Sequence, residues 1–338
     1  MNIVPLDVYM NISQKNNRFC SAIIVVLFWF LTVPAAGSQF RTEGSNAVID
    51  QSGRRIVADK PYKRIISLYG AHTENLFSLG LSKEIIGVSR HENFPAQALT
   101  KPVFSYHDDP EKFLAARPDL VFVRPMIDRG YPQFVTRLEK SGITVVSLQP
   151  ATVSEMYEYW KILGVLTGRQ AQASEMILHF KNISTNLKAL SSTIAVKRRV
   201  YFESIHNKMK TFSPDSMAIF ALETAGGINV AADAKPVRKT NIAGYGKERI
   251  LSRAMQIDVF LAQSGAMNRP TVSMIKSEPG FNAIKAVNNN QIFIIDEQIV
   301  SRPTLRLLEG IHEIGKILYP DIFDTNRAKF FRKQAVFK

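Results

Sequence analysis

Short apolar runs alternate along this chain with stretches patterned at helical spacing, and no other feature constrains the fold as tightly. In the first half the runs fall at 64–69 (RIISLY), 85–88, 120–123 and 143–148, with helical patterns near 76–81, 111–116 and 131–141 between them. A strand that is apolar on both sides needs cover on both faces, and parallel neighbours need long crossovers. The pattern therefore predicts a parallel sheet flanked by helices. It returns after 196, with strands expected at 200–203, 259–262 and 292–295 and helices at 217–224, 247–254, 281–287 and 304–318. The fold class is α/β: two Rossmann-like lobes with central parallel sheets.

Between the two units the pattern is helical throughout. Thr152 and Glu155 have the spacing of a capping box, in which each side chain satisfies a backbone N–H of the other's turn. Apolar residues then recur to Leu166, pause at Gly168 and resume as one stripe through Ala173, Ile177, Phe180, Ile183, Leu187 and Leu190. This predicts a nearly continuous, rigid linking helix over 151–195. Ahead of the first lobe, AVIDQSGRRIVA at 47–58 reads as a hairpin turning at Asp50 and Gly53. The expected organisation is a first lobe with its leading hairpin at 38–150, the linking helix, a second lobe at 196–320 and a basic tail at 321–338. Open α/β sheets hold ligands at the carboxyl ends of their strands, so a cleft between the lobes is the expected site.

The first 37 residues read as a secretory leader. Lys15 and Arg18 precede the apolar run 22–33, and the small residues Ala35, Ala36, Gly37 and Ser38 follow it. The run is shorter than the ~20 residues that cross a bilayer as a helix, which favours a cleaved signal over an anchor. Cys20, the single cysteine, lies before the run, so the expectation is a periplasmic protein that is not a lipoprotein, without disulfides or thiolate sites. The whole chain carries a formal +14; without residues 1–36 it has 41 bases against 28 acids, or +13. Arg327, Lys329, Arg332, Lys333 and Lys338 place five of those charges in the tail, which reads as a frayed helix end or a membrane-surface contact.

The order and spacing of several segments resemble the helical-backbone substrate-binding proteins of ABC importers, which carry vitamin B12, ferric siderophores, haem and related metal chelates. The matching stretches are DQSGRRIVADKPYKRIISL at 50–68, HTENLFSLGLSKEIIGVS at 72–89, PEKFLAARPDLVFV at 110–123, GITVVSL at 142–148, ETAGGINVA at 223–231, GKERILSRAMQIDVFLAQ at 246–263 and FNAIKAVNNNQIFIID at 281–296. The resemblance implies a monomeric carrier with no intrinsic cofactor. Its cargo would be a bound ferric chelate, or alternatively cobalamin or haem, delivered to a permease dimer with its ATPase subunits. It also implies docking through one surface acid per lobe, at Glu111 and Glu248, answering a patch that a dimeric permease presents twice.

Residues just after the strand ends are the cleft candidates: Tyr69, His72, Arg90, His91 and Arg124 in the first lobe, and His206, Lys210, Tyr245 and Arg302 in the second. Most are cationic or phenolic, which suits an anionic chelate of ferric iron presenting oxygen acceptors, most directly a ferric siderophore. Tyr69, His72 or His206 would complete a metal shell that the chelator leaves open. Arg124 stands where a corrin-stacking aromatic is expected, and only Trp160 remains beyond the leader, although Phe94, Tyr106, Tyr131, Phe212 and Tyr245 offer apolar walls. A chelatase-like enzyme assembled from His72, Glu74, His91 and His206 is the competing reading, without hydrolase or P-loop motifs to support other enzyme classes. Nucleic-acid binding is disfavoured because the basic residues are dispersed and the leader directs export.

Overall fold

The computed structural model describes residues 40–90, 92–237 and 240–331; the leader, Cys20 and His91 lie outside the described residues. The chain begins with an antiparallel three-stranded sheet, β1 (Arg41–Glu43), β2 (Ala47–Ile49) and β3 (Arg55–Val57). Its turn is organised by Asp50, which is fully buried. One carboxylate oxygen accepts from the amides of Ser52 and Arg54, each at 2.9 Å, and the other from the amide of Ser147, also at 2.9 Å. A buried carboxylate is tolerable only when its lone pairs are filled in this way. The same bonds staple the hairpin to the first lobe.

That lobe runs β4 (Ile65–Ser67), α1 (Gly70–Ser78), β5 (Ile85–Val88), α2 (Pro110–Ala116), β6 (Leu120–Val123), α3 (Pro125–Gly130), α4 (Pro132–Lys140) and β7 (Thr144–Ser147). The sheet order is β5-β4-β6-β7 with every pair parallel. All four residues of β6 are buried, as its unbroken apolar run requires. Helices α1, α2 and α3 each follow a strand's carboxyl end, which aims these β-to-α turns at the same edge of the sheet.

The linking segment differs from the single rod read from the periodicity. It forms two helices, α5 (Val153–Thr167) and α6 (Gln170–Ser192), separated by Gly168 at φ +68°. That left-handed residue ends α5 and cannot continue a right-handed helix. Pro61 packs where a Cβ on Gly168 would stand, 2.6 Å away, and Gly164 lets α6 approach through Ala173. The helices therefore fold onto each other: α5 lies along β1 and β2, and α6 carries the chain to the second lobe. The Thr152 half of the capping box is present, its hydroxyl accepting from the Glu155 amide at 3.2 Å, while the Glu155 carboxylate reaches one residue further back and accepts from the Ala151 amide at 2.7 Å.

The second lobe comprises β8 (Arg199–Ile205), β9 (Lys210–Phe212), α7 (Met217–Thr224), β10 (Ile228–Asn229), β11 (Lys235–Pro236), β12 (Ile242–Gly244), α8 (Lys247–Ser252), β13 (Val259–Ser264), α9 (Val272–Ser277), α10 (Lys285–Asn288), β14 (Ile292–Asp296), α11 (Glu297–Val300), α12 (Leu307–Leu318) and α13 (Pro320–Phe331). Strands β10, β8, β13 and β14 are parallel, whereas β9, β12 and β11 add an antiparallel flank. The flank follows from chain length: four residues separate β8 from β9, too few for a parallel crossover. The lobe also continues past 320. Phe323 is fully buried against Gly315, and burying a phenylalanine contributes about 1.5–3 kcal/mol, so the start of the expected tail belongs to the fold.

Candidate ligand-binding cleft

A cavity of about 400 Å³ lies where the strand ends of the two lobes meet. Tyr69 follows β4, Arg90 follows β5, Arg124 follows β6 and Gln149 follows β7; opposite them stand Gln263 and Met267 from the end of β13, and Glu297, Ser301 and Arg302 after β14. The carboxyl ends of parallel strands thus converge from both sides. Phe104, Tyr106 and Ile242 give the cavity apolar wall as well. Gly87 makes room for Phe104, since a Cβ there would stand 2.4 Å from the ring.

Among the described residues three arginines line this space, in different electrostatic states. Arg90 is paired with Asp108 at 3.1 Å on the exposed rim, and Arg302 with Glu74 at 3.1 Å in the interior. Arg124 has no carboxylate partner among the described residues. Its guanidinium lies 4.7 Å from the centre of the Tyr69 ring, and its buried Nε has no hydrogen-bond partner. Burial pushes the Tyr69 phenol above its ordinary pKa, against the opposing pull of Arg124 and Arg302, so it faces the cavity as a neutral O–H. Glu297 is the acid among the lining residues. Among the described residues the cavity is therefore less cationic than the strand-end residues suggest, and its uncompensated cation is Arg124.

The family model for periplasmic binding proteins matches residues 65–299, a span that holds all of the lining residues of this cavity except Ser301, Arg302 and Pro303. The chain belongs to the periplasmic binding protein family. It is 24% identical over 81% of its length to an uncharacterised ABC transporter substrate-binding lipoprotein of Bacillus subtilis, covering 85% of that protein. It is also 24% identical to a vitamin B12-binding protein of Vibrio cholerae, over 75% of this chain and 88% of the relative. A solved structure from Staphylococcus epidermidis, described as a possible iron-binding periplasmic solute-binding protein, superposes with a TM-score of 0.67 at 28% identity, over 77% of this chain and all of the other. The Bacillus relative corrects one expectation. A periplasmic binding protein of this kind is named a lipoprotein there, against the reading of this chain as not lipidated from the position of Cys20. Among the described residues no helix is long and apolar enough to cross a membrane.

Several strand-end residues of this periplasmic binding protein point elsewhere. His72 is fully buried beneath the cavity: its Nε2–H donates to the Val123 carbonyl at 3.2 Å and its Nδ1 accepts from the Tyr159 hydroxyl at 2.7 Å. Burial lowers its pKa to about 3, so it is a neutral core histidine with no lone pair left for a metal. His206 turns into the second lobe, where its Nδ1 is 2.9 Å from Glu203, whose carboxylate raises the histidine's pKa. Lys210 sits in β9, its backbone paired with β12, and is not among the residues that line the cavity. Tyr245 is buried against Tyr201, with the Arg249 guanidinium 4.3 Å from its ring centre. Phe212 is likewise fully buried. The chelatase-like set of His72, Glu74 and His206 is divided between separate interiors, and no group of three or more His, Cys, Asp or Glu among the described residues is placed to hold a metal.

Other lining residues were not among the candidates. Gln149, Gln263 and Met267 follow recognisable strands, so the same strand-end rule reaches them; they are neutral, and a search for charge passes over them. Ser105 and His107 had no such signal. Their loop returns to β5 through the Phe104 amide, which donates to the Val88 carbonyl at 2.8 Å, and the His107 ring packs against Tyr106 and Tyr131.

Proposed function

We propose that this chain is the substrate-binding component of an ABC importer, capturing an anionic metal chelate, foremost a ferric siderophore, between its lobes and delivering it to a permease. The observation that carries this reading is Arg124: a guanidinium without an ionic partner among the described residues, with a buried, unsatisfied Nε, stacked on a neutral tyrosine at the wall of the cavity. Such a group is expensive without a partner, and an oxygen-rich anion supplies one. A flat macrocycle, cobalamin or haem, is the second reading. It is favoured by the apolar walls Phe104, Tyr106, Ile242 and Met267 and by the vitamin B12-binding relative.

Trp160 offers a direct assay. It is fully buried and its Nε1 donates to the Pro303 carbonyl at 3.3 Å, and Pro303 lines the cavity from the other lobe. Titrating tryptophan emission with ferric siderophores, haemin and cobalamin is expected to give a response to the anionic ferric chelates. Nanomolar binding of cobalamin with no response to any anionic chelate would sink the preferred cargo.

Docking is assigned to Glu111 and Glu248, both exposed in the first turns of α2 and α8. Glu111 already pairs with the exposed Arg137, a contact that a permease arginine would have to replace. Reversing both acids to lysine should abolish uptake and leave cargo affinity unchanged. A fall in affinity would remove the assignment.

A further inference from the structure

The contact between the lobes beside the cavity contains more ionic capacity than it uses. Glu74, on α1 of the first lobe, is 2% exposed. Its Oε1 accepts from Arg302 Nη1 at 3.1 Å and lies 3.6 Å from Arg306 Nη1, both arginines coming from the second lobe. Glu74 Oε2 and Arg306 Nη1 are both buried and without hydrogen-bond partners among the described residues. Two further bonds hold the same segment, since the Pro303 carbonyl accepts from Asn75 Nδ2 at 2.8 Å and from Trp160 Nε1 at 3.3 Å. The nearby carboxylate of Glu92 is engaged by the hydroxyls of Ser89 at 2.5 Å and Thr73 at 3.1 Å, and Glu309 meets Arg306 on its outer side at 3.6 Å. One carboxylate thus serves two guanidiniums, one hydrogen-bonded and the other an ion-pair partner at 3.6 Å without a hydrogen bond. Only the bonded one, Arg302, lines the cavity.

We infer that Glu74 and Arg306 are positioning residues that free Arg302 for cargo: when an anionic oxygen of the cargo takes Arg302, Arg306 closes onto Glu74 in its place. The exchange keeps the buried carboxylate paired throughout, which is the condition for moving a charge in an interior. It also leaves the Pro303 anchor intact, so the lobes stay in register while the arginine changes partner. Arg306 then sets affinity from outside the cavity, through the carboxylate it shares.

The inference rests on the proposed anionic cargo for its function but not for its first test. Thermal unfolding of the full chain is compared for Arg302→Met, Arg306→Met and the double variant. If either arginine can serve Glu74, each single change shifts Tm by about 2 °C or less, while the double leaves Glu74 buried without a cation and obliged to take up a proton, and lowers Tm by about 6 °C or more. A single variant as destabilised as the double overturns the exchange. The second test reads affinity for ferric citrate, with Arg306→Gln beside Arg306→Met against misfolding. Arg306→Met is expected to weaken ferric citrate about tenfold, and the effect should vanish in a Glu74→Gln background, because coupled groups are non-additive. Equal loss in both backgrounds, or none in either, overturns the inference. Absence of ferric citrate binding by the unaltered chain tells against the cargo reading and leaves the unfolding test to decide the exchange.

Discussion

Replacing Arg124 by methionine separates a binding role from a structural one. The guanidinium contacts the Tyr69 ring and no carboxylate among the described residues, so its removal strands no buried partner. A methionine replaces the cation–π contact with the ring by a thioether contact of similar small worth. Stability should therefore stay level, or rise slightly as an unsatisfied N–H disappears. Binding should respond differently. A hydrogen bond to a charged group is worth about 1.5–3 kcal/mol, which converts to a loss of roughly 10- to 150-fold in Kd for an anionic chelate. Arg124→Lys should recover only part of it, because an ammonium cannot present the planar fork that meets two oxygens at once. The assay is emission titration with a ferric siderophore, paired with thermal unfolding of the same samples. An unchanged Kd would refute the claim that this guanidinium meets cargo. A Tm lowered by several degrees would refute the claim that it is free of structural duty.

Acid should expose the second buried group. The folded-state pKa of His72 is about 3, below the usual value of 6.5, so the unfolded chain takes up the proton first as pH falls. The associated stability is fully present above about 6.5 and is lost toward pH 3 at up to about 1.4 kcal/mol per unit. His72→Gln should remove that component, seen as a smaller difference between urea midpoints at pH 7 and pH 4.5; an unaltered difference rejects it. Gly70→Ala places a Cβ 2.5 Å from Arg302 Nη1, the movable end of a side chain, at a backbone angle that alanine tolerates. The variant should fold with little change in Tm and bind anionic chelates up to about tenfold more weakly, an effect of roughly 1 kcal/mol. Normal affinity would show that the placement of Arg302 is immaterial.

The sequence by itself determined the local structure and the edge of the sheet where ligands gather. Unbroken apolar runs specify strands covered on both faces, the Thr152–Glu155 spacing specifies where α5 begins, and strand order in such units brings Tyr69, Arg90, Arg124 and Arg302 to a common rim. Periodicity also marked the pause at Gly168, but it carries no information on the angle between successive helices. The left-handed backbone and the packing of Gly164 on Ala173 turned one expected rod into a folded pair. Tertiary structure alone decided which strand-end residues face the cavity. His72 and Tyr245 stand at positions like those of Arg90 and Arg302, yet interior partners claim them: the Val123 carbonyl and Tyr159 for one, Tyr201 for the other. It alone decided the charge of the site too. Arg90 meets Asp108 from its own lobe, and Arg302 meets Glu74 from 228 residues away. A net charge summed along a chain records neither encounter, because whether a cation is free depends on which carboxylate the fold brings within about 4 Å of it.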